Sequence, residues 1–213
     1  MARYYPIFVN LEGKNCLIIG GGKVAERKAA TLLDYKANIR IVSPQVGDTI
    51  NKWSQENLLS WRKGEFRESD LKDIFMVFVA TDNRKITEYV VQLCRSRGIM
   101  VNAVDDPPNC DFFVPSILRQ QSLVIAISTE GKSPMFAKRL RKELEELITP
   151  AYGELVELLG EQRDFVKKNI HNICERGKLF EEMVYSDALE LLKIGEKDKA
   201  RERIKKCISS WWG

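Results

Sequence analysis

The stretch NCLIIGGGKVAERK, residues 15–28, decides the fold of this chain. Its first five residues form a short apolar strand, and residues 24–36 have the apolar spacing of a helix that packs on one face. Between them, Gly20, Gly22 and Ala25 follow the G-x-G-x-x-A spacing. A strand, this turn and a helix in that order predict a Rossmann-type unit that binds the pyrophosphate of NAD or NADP.

Each small residue of the turn has a physical role in this interpretation. Gly20 allows the sharp bend, Gly22 lets the backbone approach a phosphate, and Ala25 lets the helix pack closely on the sheet. The alternative is a glycine turn without a ligand. Three consecutive glycines cost backbone entropy that a bare turn does not require, which favours the dinucleotide.

The rest of the chain alternates strands and helices before it becomes helical. Further strands are predicted at residues 39–42, 75–80, 100–104 and 123–128, and helices at 87–97 and from Ser133-Pro134 to about Ile148. Three helices follow, at 151–170, 178–192 and 197–211, with Gly177 and Gly195 in the breaks. This pattern predicts an α/β protein with an N-terminal Rossmann-type parallel sheet over residues 1–113, a central α+β region over 114–150 and a small helical domain over 151–213.

Composition and charge exclude several other classes. The 213 residues are 44% hydrophobic and 30% charged, with a net charge of +4, which demands neither a nucleic acid nor a membrane as partner. No run approaches the roughly 18 apolar residues of a membrane span, and the start lacks a signal peptide, so a cytoplasmic protein is expected. Five scattered cysteines and one histidine, His171, argue against a disulfide framework, a metal site and a Ser-His-Asp triad.

The cofactor is not decided by the residues that follow the second strand. NAD-binding folds commonly have an Asp or Glu there for the ribose hydroxyls, but this chain has Ser43-Pro44-Gln45. Gln45 or the backbone could substitute, so NAD and NADP both remain open at this point. Thr81, Asp82 and Asn83 follow a later strand and are predicted to contact the cofactor, ordinary turn formation being the alternative.

Several segments in order resemble the siroheme synthase dehydrogenase/ferrochelatase family. They are the glycine turn with residues 5–8, 80–82, 101–106, 113–116 and 127–134, and together they extend over about residues 5–150. The resemblance implies NAD-dependent oxidation of precorrin-2 to sirohydrochlorin and, in some members, insertion of ferrous iron. It also implies a homodimer that exchanges a central region, here about residues 114–150. Related proteins carry a methyltransferase domain; this sequence has none, so a stand-alone form is expected, with methylation by another protein.

The resemblance also implies roles for individual residues. The catalytic carboxylate is Asp105, and Ser128 lines the tetrapyrrole site. A serine that is phosphorylated in one relative corresponds to Thr129, which leaves that regulation open. The cofactor contacts fall on Gly22, Lys23, Val24, Pro44, Gln45 and Thr81.

The chemistry of the reaction agrees with these positions. Dehydrogenation removes a proton as well as a hydride, and Asp105 follows a predicted buried strand, where it can act as general base. A solvated acidic loop is the alternative, and it is favoured for Asp106. Among the basic residues, Lys132 and Arg119 lie near turns and are predicted to bind the carboxylates of the substrate. Asp105 would also serve iron insertion, whereas His171 is expected to be structural.

Two other functions compete with the dehydrogenase. An NAD-binding regulatory module explains the glycine turn but leaves residues 102–106 and 128–134 without a role. A tetrapyrrole carrier with a vestigial cofactor site is the third interpretation.

Overall fold

A five-stranded parallel sheet forms the first of two compact units in the computed structural model, which describes residues 4–211. Along the chain its strands are β1 at Asn15–Ile19, β2 at Asn38–Ser43, β3 at Ser60–Lys63, β4 at Met76–Val79 and β5 at Met100–Ala103. They lie in the order β3-β2-β1-β4-β5, with every pair parallel. This is the classic doubly wound order without its sixth strand, and it confirms the predicted Rossmann-type fold.

The sheet is covered on both faces, as the apolar runs of its central strands predict. Successive residues of β1 illustrate this: Leu17 packs in one hydrophobic cluster and Ile18 in the other. Three helices connect the strands, and two short 3-10 turns lie at Glu68–Leu71 and Pro107–Asn109. The helices are α1 (Lys23–Asp34), α2 (Asp48–Gln55) and α3 (Arg84–Ser96).

Strand β3 has no counterpart among the predicted strands. It lies at the edge of the sheet and pairs only with β2, so it needs no continuous apolar run. Arg62 in this strand donates from Nε to Oδ1 of Asp70 at 2.7 Å. Asp70 is only 4% exposed, and its carboxylate also accepts a hydrogen bond from the backbone N–H of Arg67. An ion pair therefore anchors β3 where apolar side chains do not.

The second unit begins at Pro115 and combines a hairpin with helices. Strand β6 (Ser116–Gln120), which the sequence pattern missed, pairs antiparallel with β7 (Leu123–Ile127). Gly153 packs on this hairpin so closely that a Cβ on it would lie 2.5 Å from the carbonyl oxygen of Gln120. The helices are α4 (Pro134–Leu147), α5 (Pro150–Asn169), α6 (Ile173–Val184), α7 (Ala188–Lys193) and α8 (Lys197–Ser209).

The predicted division of the helical tail was wrong at one glycine. Gly177 lies inside α6, because Asn172 caps that helix earlier and accepts hydrogen bonds from the N–H groups of Cys174 and Glu175. The break between α5 and α6 lies at residues 170–172. A second break divides the predicted helix 178–192 at Ser186, whose hydroxyl donates to the carbonyl oxygen of Met183. Four helices therefore follow α4 up to residue 211. Gly195, with φ of +82°, does lie in a break, as predicted.

Two further predictions relate to this architecture. Ser133 caps α4 with Pro134 in the first turn, and its hydroxyl accepts the N–H of Phe136 at 3.3 Å, as predicted. The predicted boundary near residue 150, between a central region and a helical domain, stays a prediction.

Within residues 4–211, none of the helices has the length and apolar character needed to cross a membrane.

Candidate functional site

The turn between β1 and α1 is packed against two neighbouring segments. Gly20 has φ of +118°, and a Cβ on it would lie 2.0 Å from the carbonyl oxygen of Ala80. A Cβ on Gly21 would lie 2.1 Å from the carbonyl oxygen of Gln45. Both neighbours are backbone atoms, which cannot move aside. The protein's own packing therefore requires these two glycines.

Gly22 is different, because nothing in its own unit requires a glycine there. It is the N-cap of α1 with φ of −84°, and a Cβ on it would meet no atom within 4 Å. The absence of a side chain leaves the first N–H groups of α1 open to approach. A helix N-terminus attracts anions through these groups and its dipole. The turn is thus shaped to hold the pyrophosphate of a dinucleotide.

A cavity of about 450 Å³ lies at the carboxyl edge of the sheet, beside the start of α1. In open α/β sheets ligands bind in the crevice at this edge, where the strand order reverses. The structure brings three residues singled out by the sequence together here, one from each of three segments. They are Val24, Thr81 and Asp105, and Asp82 lines the cavity beside Thr81.

Asp105 is held in an unusual backbone conformation at the rim of this cavity. Its φ is +60°, in the left-handed region that few residues other than glycine adopt and that Asp tolerates. The residues on either side are fixed by backbone hydrogen bonds, from Val104 N–H to the carbonyl of Val79 and from Asp106 N–H to that of Ala103. The sharp turn after β5 therefore sets where the Asp105 carboxyl group is presented.

Side chains beneath the turn hold the following segment in place. The thiol of Cys110 donates to the carbonyl oxygen of Ala103 at 3.0 Å, and burial raises the pKa of this thiol. The amide of buried Asn102 donates to the carbonyl oxygen of Phe112 at 2.8 Å. Asn102 and Cys110 also form an isolated antiparallel bridge. These contacts tie the segment after Asp105 to strand β5.

Lys28 is a residue near this site that sequence reasoning missed. Its ammonium lies 5.4 Å from the centre of the Phe78 ring, on the α1 side of the sheet. Burial lowers the pKa of Lys28, Arg27 lowers it further, and the charges of Cys110 and Asp105 oppose the shift. Lys28 is thus a partly buried cation within electrostatic range of Asp105. Helical periodicity alone gives no sign of this, because its neighbours come from distant segments.

The end of β2 has a compact structure of its own. The hydroxyl of Ser43 donates to the carbonyl oxygen of Gln45 at 2.6 Å, and the indole N–H of Trp61 donates to the carbonyl oxygen of Ser43 at 3.0 Å. The side chains of Pro44 and Gln45 are exposed. The backbone here is thus fixed against the glycine turn, with no carboxylate on residues 43–45.

The predicted tetrapyrrole-binding residues all lie in the second unit. Arg119 is on β6, and its side chain is exposed. Ser128 follows β7, and its hydroxyl accepts the N–H of Glu130 at 3.1 Å. Lys132 is exposed one residue before the N-cap of α4, and its N–H donates to the carbonyl of Thr129. This places a hydroxyl and a cation in one turn at a helix N-terminus.

Residues 4–211 contain no group of three or more His, Cys, Asp or Glu side chains arranged to hold a metal ion. His171 is exposed, between α5 and α6.

Three family models match successive parts of the chain. The model described as "Putative NAD(P)-binding" matches residues 7–116, just over half of the chain. The model "Sirohaem biosynthesis protein central" matches residues 120–147, and "Sirohaem synthase dimerisation region" matches residues 151–208.

Known proteins show the same similarity along nearly the whole chain. The siroheme synthase of Nitrosococcus oceani is 33% identical over 93% of this chain and 42% of its own length, and that of Neisseria meningitidis serogroup C (strain 053442) is 34% identical over 95% and 42%. This chain thus spans less than half the length of these curated relatives. A solved structure described as "SirC, precorrin-2 dehydrogenase" matches with a TM-score of 0.76 and 25% identity, over 95% of this chain and 100% of that one.

Proposed function

We propose that this chain, which belongs to the siroheme synthase family, is an NAD-dependent dehydrogenase that oxidises precorrin-2 to sirohydrochlorin. One observation carries the proposal. The carboxylic residue Asp105 shares a cavity with Val24 and Thr81 beside an uncovered helix N-terminus, at the edge of the sheet where dinucleotides bind.

The cofactor is held, in this proposal, by two groups of residues. Gly20, Gly22, Lys23 and Val24 form the turn and first residues of α1, which receive the pyrophosphate. The others lie at strand ends, where the remaining parts of the dinucleotide would lie: Pro44, Gln45 and Thr81. When bound, NAD supplies the acceptor for the hydride.

Asp105 accepts the proton that leaves the substrate as the hydride departs. Both must be removed to introduce the new double bond, and a base at the cavity rim is positioned for the proton. The left-handed turn and the bonds of Cys110 beneath it hold Asp105 in place. The nearby ammonium of Lys28 offsets the negative charge of the carboxylate.

The tetrapyrrole is rich in carboxylates, so cations and helix N-termini suit it. We assign the binding of these carboxylates to Arg119, Ser128 and Lys132. All three lie in the second unit, within the predicted central region at residues 114–150. The model of the dimerisation region matches residues 151–208, which supports a homodimer. Large apolar side chains exposed on α4, among them Met135 and Phe136, also suit an interface.

The deciding experiment is an anaerobic reaction of the purified protein with precorrin-2 and NAD⁺. We expect the absorption spectrum of sirohydrochlorin to develop together with that of NADH. Binding of NAD⁺ without any spectral change in the tetrapyrrole would overturn the dehydrogenase and favour the regulatory module. Binding of both ligands without turnover would favour the carrier.

Ferrous iron is proposed as a second substrate, with Asp105 accepting the pyrrole protons that the metal displaces. The support is the family resemblance together with the position of Asp105 at the cavity. Sirohydrochlorin mixed with ferrous or cobaltous ion, without NAD⁺, tests this activity separately. An unchanged rate of metal insertion in Asp105→Asn would exclude Asp105 from this reaction.

We also propose a cytoplasmic location, which fractionation of cells would test.

A further inference from the structure

The carboxylate that is missing after β2 has a counterpart on α1. Glu26 lies in the first turn of this helix, and its side chain is 21% exposed. A Cβ on Gly47 would lie 3.6 Å from Oε2 of Glu26, so this carboxylate lies beside the loop that follows β2. The N–H of Gly47 in turn donates to the carbonyl oxygen of Gly21 at 3.2 Å. Glu26 therefore lies where the glycine turn and the β2 loop meet.

In Rossmann folds the adenosine ribose lies at this junction, and an acid at the end of the second strand accepts hydrogen bonds from the ribose hydroxyls. We propose that Glu26 is the specificity-determining residue for the cofactor in this chain and accepts hydrogen bonds from the ribose hydroxyls of NAD. It takes the place of the acid that residues 43–45 lack. The inference rests on the proposed function, because it needs a dinucleotide in this crevice. It names which nucleotide is selected and by which side chain.

The charge near Glu26 suits this role. Lys23 donates from Nζ to both oxygens of Glu26, at 3.3 and 3.1 Å, while its own side chain is 88% exposed. An ion pair so open to water contributes little to stability. Here the ammonium of Lys23 offsets the negative charge of the Glu26 carboxylate, which lies beside the proposed site of the pyrophosphate. The same carboxylate would repel the additional 2′-phosphate of NADP.

A simpler role for Glu26 is to stabilise α1, because an acid in the first turn interacts favourably with the helix dipole. The two roles differ in what they predict for nucleotides. Loss of a dipole interaction lowers the melting temperature and affects NAD⁺ and NADP⁺ alike. Loss of a ribose contact changes the ratio of the two affinities.

The test is calorimetric titration of NAD⁺ and of NADP⁺ into the full chain and into Glu26→Gln. We expect NAD⁺ to bind about tenfold more weakly, since a hydrogen bond to a charged group is lost, and NADP⁺ to bind more tightly, since the repulsion is lost. The ratio of the two dissociation constants should therefore change by more than about tenfold. Glu56→Gln, which removes the more exposed partner of Lys52 at the end of α2, should change neither affinity more than about twofold.

Other outcomes separate this inference from the proposed function. If Glu26→Gln folds poorly, Glu26→Asp retains the charge and should still prefer NAD⁺. An unchanged ratio in Glu26→Gln, or a ratio that changes only in Gln45→Ala, overturns the inference while NAD⁺ binding by the unaltered chain keeps the proposed function. If the unaltered chain binds neither nucleotide, both fall.

Discussion

Gly20 lies directly against Ala80: a Cβ on Gly20 would come within 2.0 Å of the Ala80 carbonyl oxygen. The contact joins the segments that leave β1 and β4, and it is reinforced by the hydrogen bond from Ala80 N–H to the carbonyl of Ile19 at 2.8 Å. The glycine turn is therefore part of the packing of the sheet as well as a surface for a ligand. The first of its three glycines serves the fold, and the third is free to serve the cofactor.

Gly20→Ala is expected to destabilise the protein. The new methyl group would overlap a backbone oxygen, and φ of +118° is strained for any residue with a side chain. We expect the free energy of unfolding to fall by about 2 kcal/mol or more, in line with strained and overpacked sites. Urea denaturation followed by circular dichroism measures this change.

Gly22→Ala is the matched substitution at the same turn. Its methyl group would meet no atom of the protein, so we expect the free energy of unfolding to change by less than about 0.5 kcal/mol. Affinity for NAD⁺ should nevertheless fall, because the methyl group occupies the approach to the N–H groups of α1. Equal losses of stability in Gly20→Ala and Gly22→Ala would contradict this division of roles.

Asp105→Asn tests the proposed base without disturbing its turn. Asn also tolerates the left-handed conformation that Asp105 adopts, whereas Ala would add strain. We expect kcat for precorrin-2 oxidation to fall about 10²- to 10⁴-fold, the usual contribution of general base catalysis. The dissociation constant for NAD⁺, measured by titration, should stay within about twofold.

Asp106→Asn is the control for this substitution, because Asp106 is the adjacent acid on the same cavity. Its carboxylate accepts a hydrogen bond from the side chain of Asn109 at 2.7 Å, which gives it a structural role. We expect kcat to fall less than about tenfold. A larger loss in Asp106→Asn than in Asp105→Asn would transfer the catalytic role to Asp106.

Lys28 should give the stability of the protein a characteristic dependence on pH. Burial lowers its pKa from the ordinary value of 10.5, so near that pH the unfolded chain binds the proton more strongly than the folded one. Stability contributed by this residue must then rise as the pH approaches 10.5 from below. Lys28→Met removes this partly buried charge, so its melting temperature relative to the unaltered protein should decline as the pH is raised from neutral toward 10.5.

The comparison for Lys28 is Lys85→Met, at an exposed position on α3. Its melting temperature relative to the unaltered protein should stay constant over the same pH range. Scanning fluorimetry of the three proteins in matched buffers measures both differences. A parallel response of the two variants would show that burial of Lys28 does not govern this dependence.

The five cysteines are expected to differ sharply in reactivity. Burial raises the pKa of four thiols, to about 11 for Cys16 and for Cys94, and upward also for Cys110 and Cys207. Cys174 is exposed. At about pH 8 a thiol reagent should therefore modify one cysteine quickly in the native protein and all five after denaturation. A fast phase that persists in Cys174→Ser would contradict this assignment.

The sequence predicted most of the first unit because its signals are local. β1, the turn and α1 follow from apolar spacing and three glycines, and Asp105 and Thr81 stand out because each follows a strand. β3 escaped prediction since an edge strand needs no apolar run, and its anchor, the pair of Arg62 with Asp70, joins residues apart in sequence. The break at Ser186 was likewise missed, because the apolar spacing continues through it.

By itself, then, the sequence determined a Rossmann-type sheet, a dinucleotide turn and the family to which the chain belongs. Only the tertiary structure decided what each glycine does and which polar side chains gather at the crevice. Gly20 meets Ala80, Glu26 reaches the loop at Gly47, and Lys28 covers Phe78 near Asp105. The physical reason is the range of the forces involved. Periodicity reports which face of a segment is apolar, whereas close packing and charge act between segments that meet only when the chain has folded.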